Sequence, residues 1–173
     1  MKPEILFTSI AAFAVISAPA LAEPPKLRTA APVIYLADNL DEKDDLGWCI
    51  DTRGRGFAER LQAHSCKPSG GDVRFSFDAR TGRIQSVEYS DYCMAYQPNN
   101  RSTFALVTCD AAATEQQFAY DLDSQTIRTA EDESNCVSVG QNSRSAGPYM
   151  SRELVLTDCV TTREELKEWV VLE

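Results

Sequence analysis

Short apolar runs separated by turn residues recur along most of the chain. Val73–Phe77, Phe104–Thr108 and Leu154–Thr157 are rich in β-branched and aromatic residues, and Gly, Pro, Asn and Asp clusters bound them. The segment 78–84 has the pattern of a strand–turn–strand hairpin, with Gly82 at the bend. Helical periodicity is weak except at Thr162–Val170, where one turn of helix is expected. The pattern therefore predicts an all-β protein.

The six cysteines form three pairs, and the spacing of these pairs along the chain indicates an internal repeat. The first members of the pairs lie 44 and 43 residues apart. An aromatic residue follows each second cysteine after nine or ten residues, and in two units an isoleucine lies nine residues before the next first cysteine. The cysteine pairs are Cys49 and Cys66, Cys93 and Cys109, and Cys136 and Cys159; the other markers are Phe75, Phe118, Trp169, Ile84 and Ile127. We therefore divide the chain into three units of about 43 residues.

Three copies of a four-strand unit favour a β-trefoil, a closed threefold barrel capped by hairpins. A propeller normally has at least four blades, so it fits three copies less well. The first strand is expected at Val33–Leu36, before the acidic run 41–45, which we interpret as a solvated loop. The third unit has a longer cysteine spacing because of the polar segment 141–148, which is expected to form a surface loop.

The N-terminal segment has the layout of a secretory signal peptide. Residues 1–22 combine a lysine, an apolar run and an Ala-x-Ala end, and the apolar run is short for a membrane span, the alternative interpretation. Residues 23–30 are expected to form an extended leader, and residues 31–173 the β-trefoil domain. We expect a secreted or periplasmic protein that has no membrane segment after cleavage. Its cysteines would then lie in an oxidising compartment, where disulfides persist.

Charge and composition exclude several classes of function. The net charge of −9 argues against nucleic acid and anionic membranes as partners. A single histidine cannot build a metal cluster, and cysteines held in disulfides are neither nucleophiles nor zinc ligands. We expect no enzyme activity, no cofactor and no metal site, although the sequence leaves open whether the acidic run binds a cation.

Several motifs resemble those of the ricin B-type β-trefoil lectins. Cys49-Ile-Asp51 matches the Cys-Leu-Asp element of the family, Gln62-Ala-His64-Ser-Cys66 its Gln-x-aromatic-x-Cys element, and Glu115-Gln-Gln-Phe118 its Gln-x-Trp element. The resemblance implies a β-trefoil fold and a disulfide that closes within each unit, whereas six cysteines alone allow fifteen pairings.

The resemblance also implies one carbohydrate-binding site, in unit one. Asp51 matches the acid that accepts hydrogen bonds from two vicinal sugar hydroxyls, and His64 matches the aromatic under the sugar ring. Gln62 matches the polar residue of the pocket, and Asp72 matches an Asn that accepts a further hydroxyl. Each of the four also has a structural interpretation. Asp51 and Asp72 can be turn residues, Gln62 can serve the backbone structure, and a lone histidine such as His64 is often structural. If His64 stacks on a sugar, its protonation should change the affinity between about pH 5 and 7.

Units two and three lack this pattern. Ala95 and Ser138 replace the acid, and Val73-Arg-Phe75 replaces Gln-x-Trp even in unit one. We therefore expect at most one weak site for a galactose-like sugar. The alternative is a trefoil without sugar binding that acts as a protein-interaction domain, either inhibitor-like or associated with a toxin. The sequence identifies neither the sugar nor the protein partner.

Overall fold

The computed structural model describes residues 23–40, 42–97 and 103–173. The predicted signal peptide at 1–22 lies outside these ranges, and so does Asp41 of the acidic run. Strands and three short 3-10 turns are the regular elements in the described ranges. None of the helical turns found there is long and apolar enough to cross a membrane.

Each unit contains four strands and one 3-10 turn, and the third has an added hairpin. Unit one contains β1 (Val33–Leu36), β2 (Trp48–Thr52), β3 (Leu61–Ser65), a 3-10 turn (Gly71–Val73) and β4 (Phe75–Asp78). Unit two contains β5 (Arg83–Ser86), β6 (Tyr92–Tyr96), β7 (Phe104–Thr108), a 3-10 turn (Thr114–Gln116) and β8 (Phe118–Asp121). Unit three contains β9 (Thr126–Thr129), β10 (Asp132–Val139), β11 (Arg144–Ala146), β12 (Tyr149–Arg152), β13 (Leu154–Asp158), a 3-10 turn (Glu164–Leu166) and β14 (Trp169–Leu172). The prediction of an all-β trefoil is confirmed.

Strand pairing between units closes the barrel. The last strand of each unit pairs antiparallel with the first strand of the next: β4 with β5, β8 with β9, and β14 with β1. One backbone hydrogen bond recurs beside each junction, at 2.9, 2.9 and 2.8 Å. The three bonds run from Val87 N to Arg74 O, from Ala130 N to Gln117 O, and from Ala37 N to Glu168 O. The remaining hairpins, β2–β3, β6–β7 and β10–β13, leave the barrel as three caps.

The repeated apolar positions form one shared core. All five aromatic and isoleucine markers are buried in a single cluster, together with Ile34 of β1. Trp169 is fully buried, and its indole N–H donates to the carbonyl of Val137 at 2.8 Å, so its one polar atom is satisfied. Each marker therefore contributes its apolar area to the closed barrel.

The disulfides close within the units, as the family resemblance implied. Bonds join the two members of each cysteine pair, with Cα–Cα distances of 5.1, 4.9 and 5.1 Å. Each bond ties the two strands of one cap hairpin close to its base. Loops of this length are stabilised by roughly 3 kcal/mol in the chain-entropy model.

The predicted hairpin at 78–84 is formed by β4 and β5. One carboxylate oxygen of Asp78 accepts from the N–H of Arg80 at 2.9 Å and thereby shapes the turn. Gly82 has a φ of +69°, and a Cβ atom there would lie 2.5 Å from the carbonyl oxygen of Phe118. Glycine is therefore required where this turn approaches the next unit.

The segment predicted as a surface loop in unit three folds as the hairpin β11–β12. It lies at the surface, but β12 extends the sheet of unit one: Ser151 pairs with His64 and Arg152 with Ala63. The Arg152 guanidinium lies 4.6 Å above the Trp48 ring and donates to two carbonyls, those of Gly140 and Gln141. The partner strand lies more than eighty residues away, so local sequence could not indicate this pairing.

Two local predictions of secondary structure were wrong in detail. The helical turn at Thr162–Val170 is a single 3-10 turn, Glu164–Leu166, because Trp169 begins β14 at the barrel position that Phe75 and Phe118 occupy in the other units. Val73, predicted to begin a strand, ends the 3-10 turn of unit one.

Candidate functional site

The cap hairpins have equivalent registers, but the residues at the paired positions distinguish unit one from the other two units. Asp51 lies opposite Gln62 in β2–β3, and Cys49 lies opposite His64. The corresponding pairs are Ala95–Ala105 and Cys93–Val107 in unit two, and Ser138–Val155 and Cys136–Thr157 in unit three. The three hairpins are thus equivalent in backbone pairing, and only the first has an acid, an amide and an imidazole at these positions.

Asp51 is fully buried, and its two carboxylate oxygens lack hydrogen-bond partners. The Nζ atom of Lys67 and the Nδ1 atom of His64 each lie 3.7 Å from one oxygen. Burial raises the pKa of Asp51 to about 7, although the charge of Lys67 lowers it. Gln62 and the Thr52 backbone also lower this pKa, but neither reaches the geometry of a full hydrogen bond. A buried acceptor of this kind has unused capacity for donors.

Lys67 links Asp51 to Asp72. Its Nζ atom lies 2.9 Å from the Asp72 carboxylate, and its backbone carbonyl accepts from the hydroxyl of Thr29 at 2.8 Å. Asp72 is buried within the 3-10 turn at Gly71–Val73. Gly70 precedes this turn with a φ of +101°, and a Cβ atom there would lie 2.5 Å from an oxygen of Asp72. The turn can therefore bring Asp72 to Lys67 only with glycine at position 70.

His64 and Gln62 form the floor beside Asp51, and both are buried. The Nδ1 atom of His64 lies 3.0 Å from the carbonyl of Ser65, which assigns the proton to Nδ1. Burial lowers the pKa of His64, so its ring is neutral at pH 7. The ring meets Tyr149 of β12 in an edge-to-face contact, with centroids 5.7 Å apart. The amide oxygen of Gln62 accepts from the Arg144 guanidinium at 3.1 Å.

A cleft of about 510 Å³ opens above this floor. Its volume lies within the range of roughly 300–1,000 Å³ that is usual for small-molecule sites. The described residues that line it are Arg53, Gly54, Arg55, Gln62, His64, Lys67, Arg144, Ser145, Ala146, Gly147, Pro148, Tyr149 and Ser151. Asp51 lies beneath the wall of the cleft rather than on it. Two residues that line the cleft, Lys67 and His64, each lie 3.7 Å from this carboxylate.

The described carboxylates of the acidic run contact protein groups. Asp45 lies 2.7 Å from the Lys26 ammonium, and Asp44 accepts from the hydroxyl of Ser65 at 2.6 Å. Glu42 lies 3.6 Å from Arg152. Across residues 23–40, 42–97 and 103–173, no group of three His, Cys, Asp or Glu side chains is placed to hold a metal ion.

The structure brings the four residues singled out in the sequence to one place: Asp51 and Asp72 lie within 3.7 Å of the Lys67 ammonium, and Gln62 and His64 line the cleft together with Lys67. Three further residues of the site were not predicted: Lys67, Arg144 and Tyr149. Lys67 directly follows a motif cysteine, a position for which the motif specifies no residue type. The other two come from the added hairpin of unit three, and the unusual cysteine spacing of that unit was the one signal in the sequence that pointed to it.

The fold and the motif register define a lectin-type β-trefoil, and residues 40–169 match the family profile of the ricin-type β-trefoil lectin domain. The chain therefore belongs to this family. Among the curated proteins, none matches the sequence significantly.

Solved β-trefoil structures share the fold at low sequence identity. The β-trefoil lectin of the Vibrio vulnificus hemolysin/cytolysin, with N-acetyl-D-lactosamine bound, is 16% identical with a TM-score of 0.54, and the match covers 80% of this chain and 90% of that one. The earthworm R-type lectin C-half in complex with GalNAc is 12% identical with a TM-score of 0.55, over 80% and 96% of the two chains. The Haemophilus ducreyi cytolethal distending toxin is 15% identical with a TM-score of 0.55, over 92% and 93%.

Proposed function

We propose that this protein is an exported, non-catalytic carbohydrate-binding domain with one weak galactose-type site in unit one. The observation that carries the proposal is the Asp51 carboxylate, which is buried without hydrogen-bond partners beside a cleft whose floor is His64 and Gln62. Vicinal hydroxyls of a sugar are a donor pair that suits its two oxygens. The membership in a lectin family supports the same class of ligand.

Sugar binding would displace Lys67 from Asp51. The lysine stem is flexible, and its ammonium keeps the Asp72 carboxylate as a partner 2.9 Å away. One sugar face would then rest beside His64 and Tyr149, and Asp72 would accept a further hydroxyl. Few hydrogen bonds and one stacking surface predict a dissociation constant in the high micromolar to millimolar range. The galactose-type ligands of the Vibrio and earthworm lectins support the choice of sugar.

Export is proposed on the N-terminal pattern and on the cysteines. All six cysteines form disulfides, which persist in oxidising compartments. Secretion and a periplasmic location both satisfy this chemistry.

Calorimetric titration of the oxidised domain with methyl galactoside and lactose tests the proposal. We expect weak saturable binding, which Asp51→Ala abolishes and Ala95→Ser, at the equivalent position of unit two, leaves intact. Equal binding by wild type and Asp51→Ala would show that the assigned site is wrong.

A second candidate function is a protein-interaction domain that does not bind sugars. This function is favoured because the polar groups of the site already bind one another. Lys67 lies between the carboxylates of Asp51 and Asp72, and Arg144 donates a hydrogen bond to the amide oxygen of Gln62. The similarity to a cytolethal distending toxin structure is compatible with a toxin-associated role. In that case no glycan would bind on an array, and one defined protein would be retained on the immobilised domain even after Asp51→Ala.

A further inference from the structure

The charges around the cleft differ in sign from those of the protein as a whole. The chain has a net charge of −9 at pH 7, with 26 acidic residues against 17 Lys and Arg. The described lining of the cleft nevertheless contains four cations, Arg53, Arg55, Lys67 and Arg144, and includes no carboxylate. A cleft lined by charges of one sign raises the local concentration of ligands of the opposite sign.

Three of the four cations, Arg53, Arg55 and Arg144, are available to bind an anionic ligand, because no described carboxylate lies within hydrogen-bond distance of their guanidinium groups. Lys67 is balanced by the buried carboxylates beneath the wall, at 2.9 and 3.7 Å. Arg53 and Arg55 are exposed and have no ion pair with any described carboxylate. Arg144 donates to the neutral amide of Gln62, and its closest acid, the exposed Glu153, lies 3.9 Å away.

The arginines come from two different units and meet at one place. Arg53 and Arg55 follow β2 of unit one, whereas Arg144 begins the added hairpin of unit three. A smaller recess of about 60 Å³ beside the cleft is also lined by Arg53 and Arg144, together with Arg60, a further exposed arginine, and Glu153. The guanidinium groups therefore form a cationic rim along one side of the candidate sugar site, with Glu153 among them. The adjoining depression, which Arg55 also lines, contains the carboxylates of Asp72 and Glu88.

We propose that the site takes an anionic saccharide, in which a galactose-like ring lies over His64 and an attached carboxylate or sulfate group is bound by Arg53, Arg55 and Arg144. The inference rests on the proposed function. Guanidinium groups match the planar geometry of a carboxylate or sulfate ester with paired N–H donors. The hydrogen bond from Arg144 to Gln62 connects the rim directly to the floor of the sugar pocket.

The test compares sugars that share one neutral core. Lactose, 6′-sialyllactose and 6′-sulfolactose are titrated into the oxidised domain by calorimetry at pH 8, in 50 and 300 mM NaCl. At low salt, at least one anionic sugar should bind about five- to tenfold more tightly than lactose, and high salt should remove most of this advantage. A preference for one of the two anionic sugars identifies the group that the rim prefers.

Matched arginine variants locate the effect. In Arg53→Gln/Arg55→Gln, and separately in Arg144→Gln, the affinity ratio of anionic sugar to lactose should fall towards one. In Arg80→Gln, at an exposed turn on β4–β5, the ratio should keep its wild-type value. Persistence of the advantage in both cleft variants would overturn the assignment to these residues.

The remaining outcomes separate this inference from the proposed function. Lactose binding without any anionic advantage would refute the anionic ligand and leave the neutral sugar site standing. Loss of binding for all three sugars would refute both. Inorganic sulfate that competes as strongly as 6′-sulfolactose would show an ion site without sugar recognition, and the inference would also be wrong.

Discussion

The cap hairpins of units one and two have the same backbone pairing, but the side chains that they bury are polar in unit one and apolar in unit two. Asp51 and Gln62 face each other in the first, and Ala95 and Ala105 occupy the same register in the second. All four residues are buried. Unit two thus fills this place with apolar groups that need no partners, whereas unit one buries a carboxylate and adds Lys67 beside it. Because a charge is expensive to bury, its retention in one unit of three points to a functional cause.

Units one and two also differ in the interaction that connects the residues next to the second cysteine with the 3-10 turn. In unit two the Gln116 side chain accepts from Asp110 N and donates to Thr108 O, at 3.0 Å each. In unit one a lysine–aspartate pair takes this place, Lys67 with Asp72. The same structural task is performed by a neutral amide in one unit and by an ion pair in the other. Only the ion pair leaves charged groups at a cleft.

The largest expected effect comes from giving unit two the acid of unit one. Ala95→Asp would bury a carboxylate where unit two has no counterpart of Lys67, and we expect it to destabilise the protein by about 5 kcal/mol at pH 8. Ala95→Ser is the matched control, because unit three already has Ser138 there; it should cost about 1–3 kcal/mol. Urea unfolding of the oxidised proteins measures both. If both variants lowered the free energy of unfolding equally, Lys67 would not be what allows unit one to bury the Asp51 carboxylate.

The next prediction concerns the pH dependence of stability in unit one. The pKa of Asp51 is about 7 in the folded protein and 3.8 for an ordinary aspartate, so the folded state binds more protons between these values. This group therefore lowers stability as the pH rises from about 4 to 7, by up to about 4 kcal/mol. Asp51→Asn should match wild type near pH 4 and be more stable at pH 8, as measured by urea unfolding.

The control for this prediction has the opposite sign. The N–H of Arg80 lowers the pKa of the exposed Asp78 carboxylate, so its contribution is present at neutral pH and is lost as the pH falls through the folded pKa. Asp78→Asn should therefore lose stability at pH 8 relative to wild type. If Asp51→Asn showed the same sign as Asp78→Asn, the Asp51 carboxylate would be stabilised rather than strained by its surroundings.

A third prediction tests the attachment of the added hairpin to unit one. Arg152 contacts Trp48, two carbonyls and Glu42, and its side chain is 8% exposed. Arg152→Met should destabilise the protein by about 3 kcal/mol, because Glu42, whose side chain is only 13% exposed, would lose its cationic partner. Hydrogen exchange should also become faster in β11 and β12. Arg163→Met, which removes an exposed pair with Glu165, is the control and should change stability by less than about 1 kcal/mol. Unchanged exchange in the hairpin would contradict the anchoring role.

The sequence was sufficient for the architecture because its markers are periodic. The cysteines located each unit, and the aromatic and isoleucine positions between them, such as Phe118 and Ile127, had to be buried if the units close one barrel. The motif also located Asp51 and His64. The sequence could not indicate the wall of the cleft beside His64, because Tyr149, which forms part of that wall, comes from an insertion in another unit. Long-range pairing of a polar strand has no local signal, so the hairpin over the site remained hidden.

The smallest predicted effect distinguishes the two titratable groups of the site. Asp51 accepts sugar hydroxyls best when ionised, and with a pKa of about 7 its ionised fraction rises about tenfold between pH 6 and 8. Galactoside affinity should rise by a similar factor, as measured by calorimetry. We expected the pH dependence from His64 between pH 5 and 7, but burial lowers the pKa of this histidine and so moves its titration away from the interval between pH 6 and 8. His64→Gln should therefore keep the tenfold change whatever its absolute affinity. A flat profile in that variant, beside a sloping one in wild type, would assign the titration to the histidine and remove Asp51 from the pH response of the site.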